Sequence, residues 1–208
     1  MKFWFLIAIS ALASIVSHAP LRAGTVADEL QARLVDLDGV VARFTQQITD
    51  AKGYVVEEAT GTLHLAKPQF RWQVEAPFAQ IIVAHGERVE IYDPDLEQVT
   101  RRDIDGAIDQ APLALLTQDE LALEEHFHVD GLALDSTHDR YTLRPISTEA
   151  LFERLELIFN LQRLDTLAIY DHAGQQTLIR FTDYKDAQVI QSSMFELEYP
   201  PGTDFVRG

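Results

Sequence analysis

The chain of 208 residues contains no cysteine. Without a thiol it forms no disulfide, and it cannot be acylated on a cysteine as a lipoprotein precursor is. Positive charge is also scarce, since 17 basic residues face 33 acidic ones and the formal net charge is −16. This balance disfavours nucleic acid and anionic membrane surfaces as partners, and it favours solubility and a basic partner.

The common patterns of catalytic and metal-binding residues are missing too. The sequence has no Gly-x-Ser-x-Gly elbow, no phosphate-binding glycine loop and no His-Glu-x-x-His helix. His126 and His128 would share one face of a strand, but no third zinc ligand is evident in that register. Asp103 and Asp105 lack the remaining ligands of a calcium loop. The sequence therefore predicts a protein that is not an enzyme and needs no cofactor or metal.

The first residues are typical of an export leader. A short basic start precedes the apolar run Phe3–Val16, which is too short for a comfortable membrane span. Small residues allow cleavage after Ala19 or after Ala23, and we favour Ala23 because a proline follows Ala19. We therefore predict a signal peptide at residues 1–23 and a single domain at residues 24–208, located in the periplasm of a Gram-negative bacterium.

The spacing of apolar residues predicts one helix followed by many short strands. Thr25 can cap a helix that runs to Leu37, with its apolar residues on one stripe and Gly39 after its end. From Val40 onward apolar and polar residues alternate, and a helical period returns only at Ala111–Leu123. The predicted strands are Val41–Thr49, Tyr54–Ala66, Gln69–Glu75, Gln80–His85, Arg88–Tyr92, Glu97–Arg102, His126–Leu134, Arg140–Pro145, Arg154–Phe159, Thr166–Tyr170, Thr177–Asp183 and Met194–Tyr199.

The strand after Lys67-Pro68 alternates most strictly, with Phe70, Trp72 and Val74 on one face. An antiparallel sheet of this length must curl, and the two helical segments could cover its concave side. We therefore expect a mainly β, unclosed antiparallel barrel, or half-barrel, with short α-helices as a lid over a hydrophobic cavity. The alternating apolar faces fit either an ordinary core or a cavity for an apolar ligand.

Several motifs in a fixed order make the chain recognisable. They are Phe44–Gln47, Gly61–Leu63, Lys67-Pro68 before Phe70–Trp72, Pro77, Tyr92–Thr100, Ala111-Pro112 before Leu115-Leu116, Asp171–Thr177 with Phe181, and Pro200–Asp204. In this order, behind a leader and without a lipid-anchoring cysteine, they resemble the LolA family of periplasmic outer-membrane lipoprotein carriers. The resemblance covers roughly Ala27–Val206.

The resemblance implies a function as well as a fold. Members of the family take triacylated lipoproteins from an inner-membrane ABC transporter and hand them to a lipid-anchored, LolB-like receptor at the outer membrane. The chain would be a monomeric periplasmic chaperone of this kind. Two other functions stay open, namely a carrier of the same family for glycolipid or pigment export, and a regulatory module that senses lipoproteins.

The resemblance also implies which residues line the cavity. Phe44, Phe70 and Trp72 match cavity-facing positions of the family, and the leucines that follow Ala111 would form the apolar side of the lid. With the alternating strand residues included, the predicted acyl-binding residues are Phe44, Ile48, Leu63, Leu65, Phe70, Trp72, Val74, Leu113, Leu115 and Leu116.

One charged residue is expected to act as a latch. In the family the residue before the turn proline is typically arginine, which hydrogen-bonds to carbonyls of the lid and holds the empty cavity shut. Lys67 stands at that position here. Lysine keeps the positive charge but loses the planar, forked set of donors.

Overall fold

The structure is a computed structural model that describes residues 24–85, 88–103, 115–117, 122–186 and 190–207. The predicted signal peptide and Leu113 lie outside the described residues, as does most of the segment Ala111–Leu123. Within the described ranges, no helix is long and apolar enough to cross a bilayer.

Helix α1, Val26–Val35, confirms the predicted N-terminal helix. Thr25 and Asp28 form a reciprocal capping box, in which the Asp28 backbone N–H donates to Thr25 Oγ1 at 3.1 Å and the Thr25 N–H donates to Asp28 Oδ2 at 2.8 Å. On the apolar stripe of the helix, Leu30 and Leu34 are fully buried, whereas Val26 in the first turn is exposed.

Twelve strands in the described part of the chain form one sheet. The elements after α1 are β1 Val40–Thr49, β2 Val55–Ala66, β3 Gln69–Ala76, β4 Gln80–His85, β5 Arg88–Asp93, β6 Gln98–Asp103, α2 Leu123–His126, β7 Phe127–Ala133, β8 His138–Pro145, β9 Phe152–Asn160, β10 Arg163–Asp171, β11 Gln176–Asp186, a 3-10 helix Ser192–Phe195, and β12 Asp204–Arg207.

The sheet is unclosed, as predicted. Its order is β12-β6-β5-β4-β3-β2-β1-β11-β10-β9-β8-β7, and every pairing is antiparallel except that of β12 with β6. The pairing of β1 with β11, in which Phe44 faces Phe181, joins two halves. We call β1–β6 the first wall and β7–β11 the second wall. Within each wall, short connections join consecutive strands, so neighbours in the sequence are also neighbours in the sheet. The meander is therefore what the alternating sequence predicts.

One predicted strand near the end of the chain is wrong. Met194–Tyr199 was expected to be a strand, but Ser192–Phe195 forms a 3-10 helix and the residues after it join no ladder. The strand that does follow, β12, was not predicted. The apolar alternation at Phe195 and Tyr199 arises because this segment packs on the outer face of the first wall, so it indicates burial of one side and not strand pairing.

Candidate functional site: the inner face and its lid helix

Aromatic rings line the inner face of the first wall. The rings of Phe44 and Trp72 are stacked, with centroids 3.7 Å apart and planes inclined by 19°. Phe70 also stacks with Trp72, with centroids 6.3 Å apart, and Phe181 of the second wall meets Trp72 edge-on at 6.3 Å. The four rings form one apolar surface below α1.

A glycine makes room for this stack. Gly61 in β2 lies directly opposite Phe44 in β1. A Cβ at Gly61 would lie 2.5 Å from the Phe44 ring and 2.0 Å from the carbonyl oxygen of Gln73. The Phe44 ring therefore lies where a side chain of β2 would otherwise stand, which explains the Gly61-Thr62-Leu63 motif in physical terms.

The structure brings most of the predicted acyl-binding residues together. Seven of them are buried in a single apolar cluster with α1: Phe44, Leu63, Leu65, Phe70, Trp72, Leu115 and Leu116. Val74 is partly buried and packs against this cluster, whereas Ile48 is half-buried near the end of β1. Leu113 lies outside the described residues. The described apolar side chains of the inner face are thus buried together with those of α1.

Lys67 contacts α1 from the first wall. Its Nζ donates to the carbonyl oxygen of Leu34 at 2.6 Å, and its backbone N–H donates to Asp38 Oδ1 at 2.9 Å. The ammonium thus lies at the carboxyl end of the helix, where the helix dipole favours a cation. The structure places Lys67 where it can hold the helix that covers the inner face, and its role as a latch stays a prediction.

A second set of polar contacts holds α1 to the second wall. The Arg33 guanidinium donates to Asp139 Oδ2 at 2.6 Å and to the carbonyl oxygen of Leu161 at 2.5 Å. The Tyr141 hydroxyl donates to Glu29 Oε1 at 2.5 Å. Burial and this hydrogen bond to Glu29 raise the pKa of the Tyr141 hydroxyl, which therefore remains a proton donor at neutral pH.

Sequence reasoning missed the Arg33 contacts. Their partners are 106 to 128 residues away along the chain, and no local pattern indicates them. The Arg33 guanidinium also lies over the rings of Tyr141 and Phe159, at 5.6 and 5.5 Å from the ring centroids. Only 15% of this side chain is exposed, so the charge is largely removed from water and depends on these partners.

Among the described residues, the cavities that border the sheet include the following two. One, of about 510 Å³, lies between the β9–β10 turn and the end of β11 and is lined by residues that include Leu161, Leu164, Phe181 and Tyr184. The other, of about 660 Å³, lies on the outer face of the first wall beneath the C-terminal segment. In the described ranges, no group of three or more acidic or histidine residues could hold a metal ion, and this includes His126 and His128.

Comparisons with known proteins agree with this geometry. A family model described as "Outer membrane lipoprotein carrier protein LolA" matches residues 36–198. A protein of Chromohalobacter salexigens named outer-membrane lipoprotein carrier protein is 38% identical over 206 residues, which is 99% of this chain and 97% of the relative. A protein of Hahella chejuensis with the same name is 35% identical, over 100% of this chain and 99% of the relative.

A solved structure supports the fold. An uncharacterised conserved protein from Thermus thermophilus aligns with a TM-score of 0.56 and 14% identity, over 88% of this chain and 100% of that protein. At this identity the likeness concerns the fold alone.

Proposed function

Since the chain belongs to the LolA family of outer membrane lipoprotein carrier proteins, we propose that it shelters the acyl chains of lipoproteins and carries them across the periplasm. The single observation that carries the proposal is the inner face of an unclosed sheet, lined with apolar and aromatic side chains and covered by a helix that polar contacts hold to both walls. Such a face can accept lipid when the helix moves.

The need for a carrier follows from the hydrophobic effect. Each acyl methylene exposed to water costs about 0.8 kcal/mol, and a triacyl anchor contains dozens, so free diffusion of the cargo would cost tens of kcal/mol. A carrier must cover these chains and yet release them without fuel. A helix that closes over the empty inner face reduces the apparent affinity for cargo, because part of the binding free energy is used to open it.

The proposal also includes how the protein is loaded at the inner membrane and unloaded at the outer membrane. We propose that an inner-membrane ABC transporter loads the protein and that a lipid-anchored, LolB-like receptor at the outer membrane unloads it. The leader at residues 1–23 is removed on export, and the mature monomer of residues 24–208 works in the periplasm as a chaperone, with no catalytic step.

The test is to recover the protein from the periplasm and to identify what it has bound. Mature protein is purified without detergent, and its acyl cargo is identified by mass spectrometry. Triacylated lipoproteins are the expected cargo. Glycolipid or pigment would favour the related carrier function, and control of a membrane-bound signalling protein by the bound lipid would favour the sensor. The variant Phe70→Glu serves as the matched control, because a carboxylate on the inner face should abolish cargo.

A second measurement checks delivery. Loaded protein is mixed with outer-membrane vesicles that contain the receptor, and the transfer of lipoprotein is followed over time. Transfer that requires the receptor supports the proposal. If purified protein shows no saturable binding of a fluorescent fatty-acid probe, the carrier function is wrong.

A further inference from the structure

We propose that the outer face of the second wall binds an acidic, extended segment of a partner protein. The surface is a single row of side chains with one residue from each strand of the second wall, and we call it the basic row: Leu132, Arg140, Ile158, Thr166 and Arg180. It lies on the side of the sheet opposite to α1, so the inference goes beyond the proposed function and adds a second site.

The pairing register aligns the basic row. Arg140 faces Leu132 on one side and Ile158 on the other. Thr166 likewise stands between Ile158 and Arg180. Successive side chains of a strand point to opposite faces of a sheet. The adjacent residues along β8–β11 are buried in the apolar cluster of the inner face, namely Tyr141, Leu157, Leu167 and Ile179. The basic row therefore faces outward.

The two arginines of the basic row have no ion pair among the described residues. The carboxylates two positions further along the strands are already used by other arginines. Asp130 accepts from Arg144 Nη1 at 2.7 Å, and Glu156 accepts from Arg154 Nε at 3.2 Å. The neighbouring charges thus neutralise one another, and the positive charge of the basic row stays uncompensated.

This positive surface is a local exception on an acidic chain, whose formal net charge is −16. A guanidinium binds a carboxylate through two parallel hydrogen bonds, so arginines at an exposed site favour an acidic partner. The net charge of the whole chain repels an anionic membrane surface. A short segment can still be held locally, because charge interactions are screened beyond about 8 Å at physiological ionic strength. The charges therefore favour an acidic peptide segment over a membrane.

The spacing of the two arginines fits an extended chain. Arg140 in β8 and Arg180 in β11 are three strand spacings apart, which is about 14 Å. In an extended segment, residues i and i+4 are also about 14 Å apart and point to the same side. A helix needs about nine residues for this distance, and residues i and i+9 then point to opposite sides. The bound segment therefore crosses the strands in an extended conformation, with acidic residues at i and i+4.

The surface between the arginines suits an apolar residue at i+2. Ile158 is half-buried there, and Thr166 is only 6% exposed. The Thr166 hydroxyl donates to Asp165 Oδ2 at 2.8 Å, so its donor is already satisfied. Beyond Arg140, Leu132 is 54% exposed and offers a further apolar contact. An apolar centre flanked by arginines is common in protein interfaces, and it predicts an acidic-x-apolar-x-acidic pattern in the partner.

Binding of a model peptide to the mature protein tests the proposal. The probe is a fluorescein-labelled peptide, Thr-Glu-Thr-Val-Thr-Glu-Thr, and its binding is followed by fluorescence anisotropy. We expect saturable binding that Arg140→Gln/Arg180→Gln weakens by about tenfold or more. The matched control Lys52→Gln/Arg207→Gln removes the same charge at two exposed positions outside the basic row, and it should change the affinity by less than about twofold.

A second peptide of the same composition, Thr-Thr-Val-Glu-Glu-Thr-Thr, separates spacing from charge. It should bind at least about fivefold more weakly, because its carboxylates cannot reach both arginines. Equal binding of the two peptides would overturn the extended segment. No saturable binding of the first peptide up to about 1 mM, or equal losses in the two double variants, would overturn the docking surface.

Exchanging the charges guards against a variant that merely loses its fold. Arg140→Glu/Arg180→Glu should lose the acidic peptide and gain binding of Thr-Lys-Thr-Val-Thr-Lys-Thr, and failure to bind this basic peptide while the protein stays folded would count against the basic row. Phosphatidylglycerol vesicles are the last arm. Sedimentation of the parent protein with them, lost in Arg140→Gln/Arg180→Gln, would mean that the surface binds a membrane and not a peptide.

The site is also distinguishable from the inner face. Because the basic row and the aromatic surface lie on opposite faces of the sheet, a saturating fatty-acid probe should change the affinity for the acidic peptide by less than about twofold. Displacement of the peptide by the probe would place the peptide on the inner face and overturn the proposal.

Discussion

The two walls of the half-barrel bury their apolar side chains differently. The first wall is covered on both faces, because the C-terminal segment packs on its outer side, where Val83, Val99 and Phe195 are buried. The buried side chains of the second wall lie mainly on its inner face, where Leu155 and Leu157 are completely buried, and only small side chains such as Ala168 are buried on its outer face. Because the first wall has an apolar layer on its outer side, we expect it to keep more of its packing than the second wall when its inner face is uncovered.

Core truncations should give the largest difference between the walls. Phe159 in the second wall is completely buried and meets Tyr141 edge-on at 5.9 Å, whereas Phe70 lies at the start of β3 and is 4% exposed. We expect Phe159→Ala to lower the free energy of unfolding by about 3–5 kcal/mol, and Phe70→Ala by an amount at the lower end of that range.

Urea denaturation measures both losses, and a fatty-acid probe measures binding. Phe70→Ala should weaken probe binding more than Phe159→Ala does in the folded state. Equal losses of stability together with equal binding would mean that the two inner faces have the same role, and the distinction between the walls would fail.

Gly61→Ala tests the aromatic surface of the first wall. The added methyl group overlaps the Phe44 ring and the Gln73 carbonyl, so we expect a loss of about 1–3 kcal/mol and a shift of Trp72 from its stacked position. Trp72 is the only tryptophan in residues 24–208, and its fluorescence therefore reports on the stack directly. The exposed neighbour Thr60→Ala is the control and should change both by little.

The sequence predicted the sheet well, because its strands have one buried face and alternate accordingly. The bounds of β4 were predicted to the residue, and those of most other strands differ by one to three residues. It did not predict β12, since four residues, two charged and two apolar, are too few to show a period. The parallel pairing of β12 with β6 also depends on distant parts of the chain.

The candidate site could be predicted only in part. Alternation and family resemblance found Phe44, Phe70 and Trp72, because ring-bearing strand positions are visible in the sequence. The side of α1 on which the helix is attached could not be found this way. Arg33 lies in the last turn of α1, and its contacts with Asp139 and Leu161 become visible only in the folded chain, because these partners are 106 and 128 residues away.

Substitutions at Lys67 should leave the fold intact. They should change the free energy of cargo binding by less than the core truncations change the free energy of unfolding. Lys67→Leu removes the ammonium from the Leu34 carbonyl, so α1 opens more readily and cargo binds about tenfold or more tightly, while release to the receptor slows. Lys67→Arg should do the reverse, with weaker holding and efficient release, since a forked guanidinium has more donors for the helix end. Transfer from loaded protein to receptor-containing membranes measures both. Equal release by the three proteins would mean that the contact of Lys67 with Leu34 has no part in release.

The smallest expected effect concerns the outer layer of the first wall. Burial disfavours the charged form of Glu90, but hydrogen bonds from the Tyr199 hydroxyl at 2.6 Å and Arg101 Nε at 2.7 Å outweigh it and lower the pKa of the Glu90 carboxyl. Because the folded pKa is the lower one, this stabilisation is complete above the ordinary glutamate pKa of about 4.3 and is lost as the pH falls through the folded value.

We therefore expect acid to loosen the C-terminal segment from the outer face, at a cost of less than about 1 kcal/mol because the site is partly exposed. Urea denaturation at pH 7 and at about pH 3.5 measures this, and Glu90→Gln should reduce the difference between the two conditions. The exposed Glu57→Gln in β2 is the matched control. If both variants respond to pH as the parent protein does, the Glu90 cluster does not stabilise the outer layer, and the first wall owes its independence from α1 to apolar packing around Val99 and Phe195 alone.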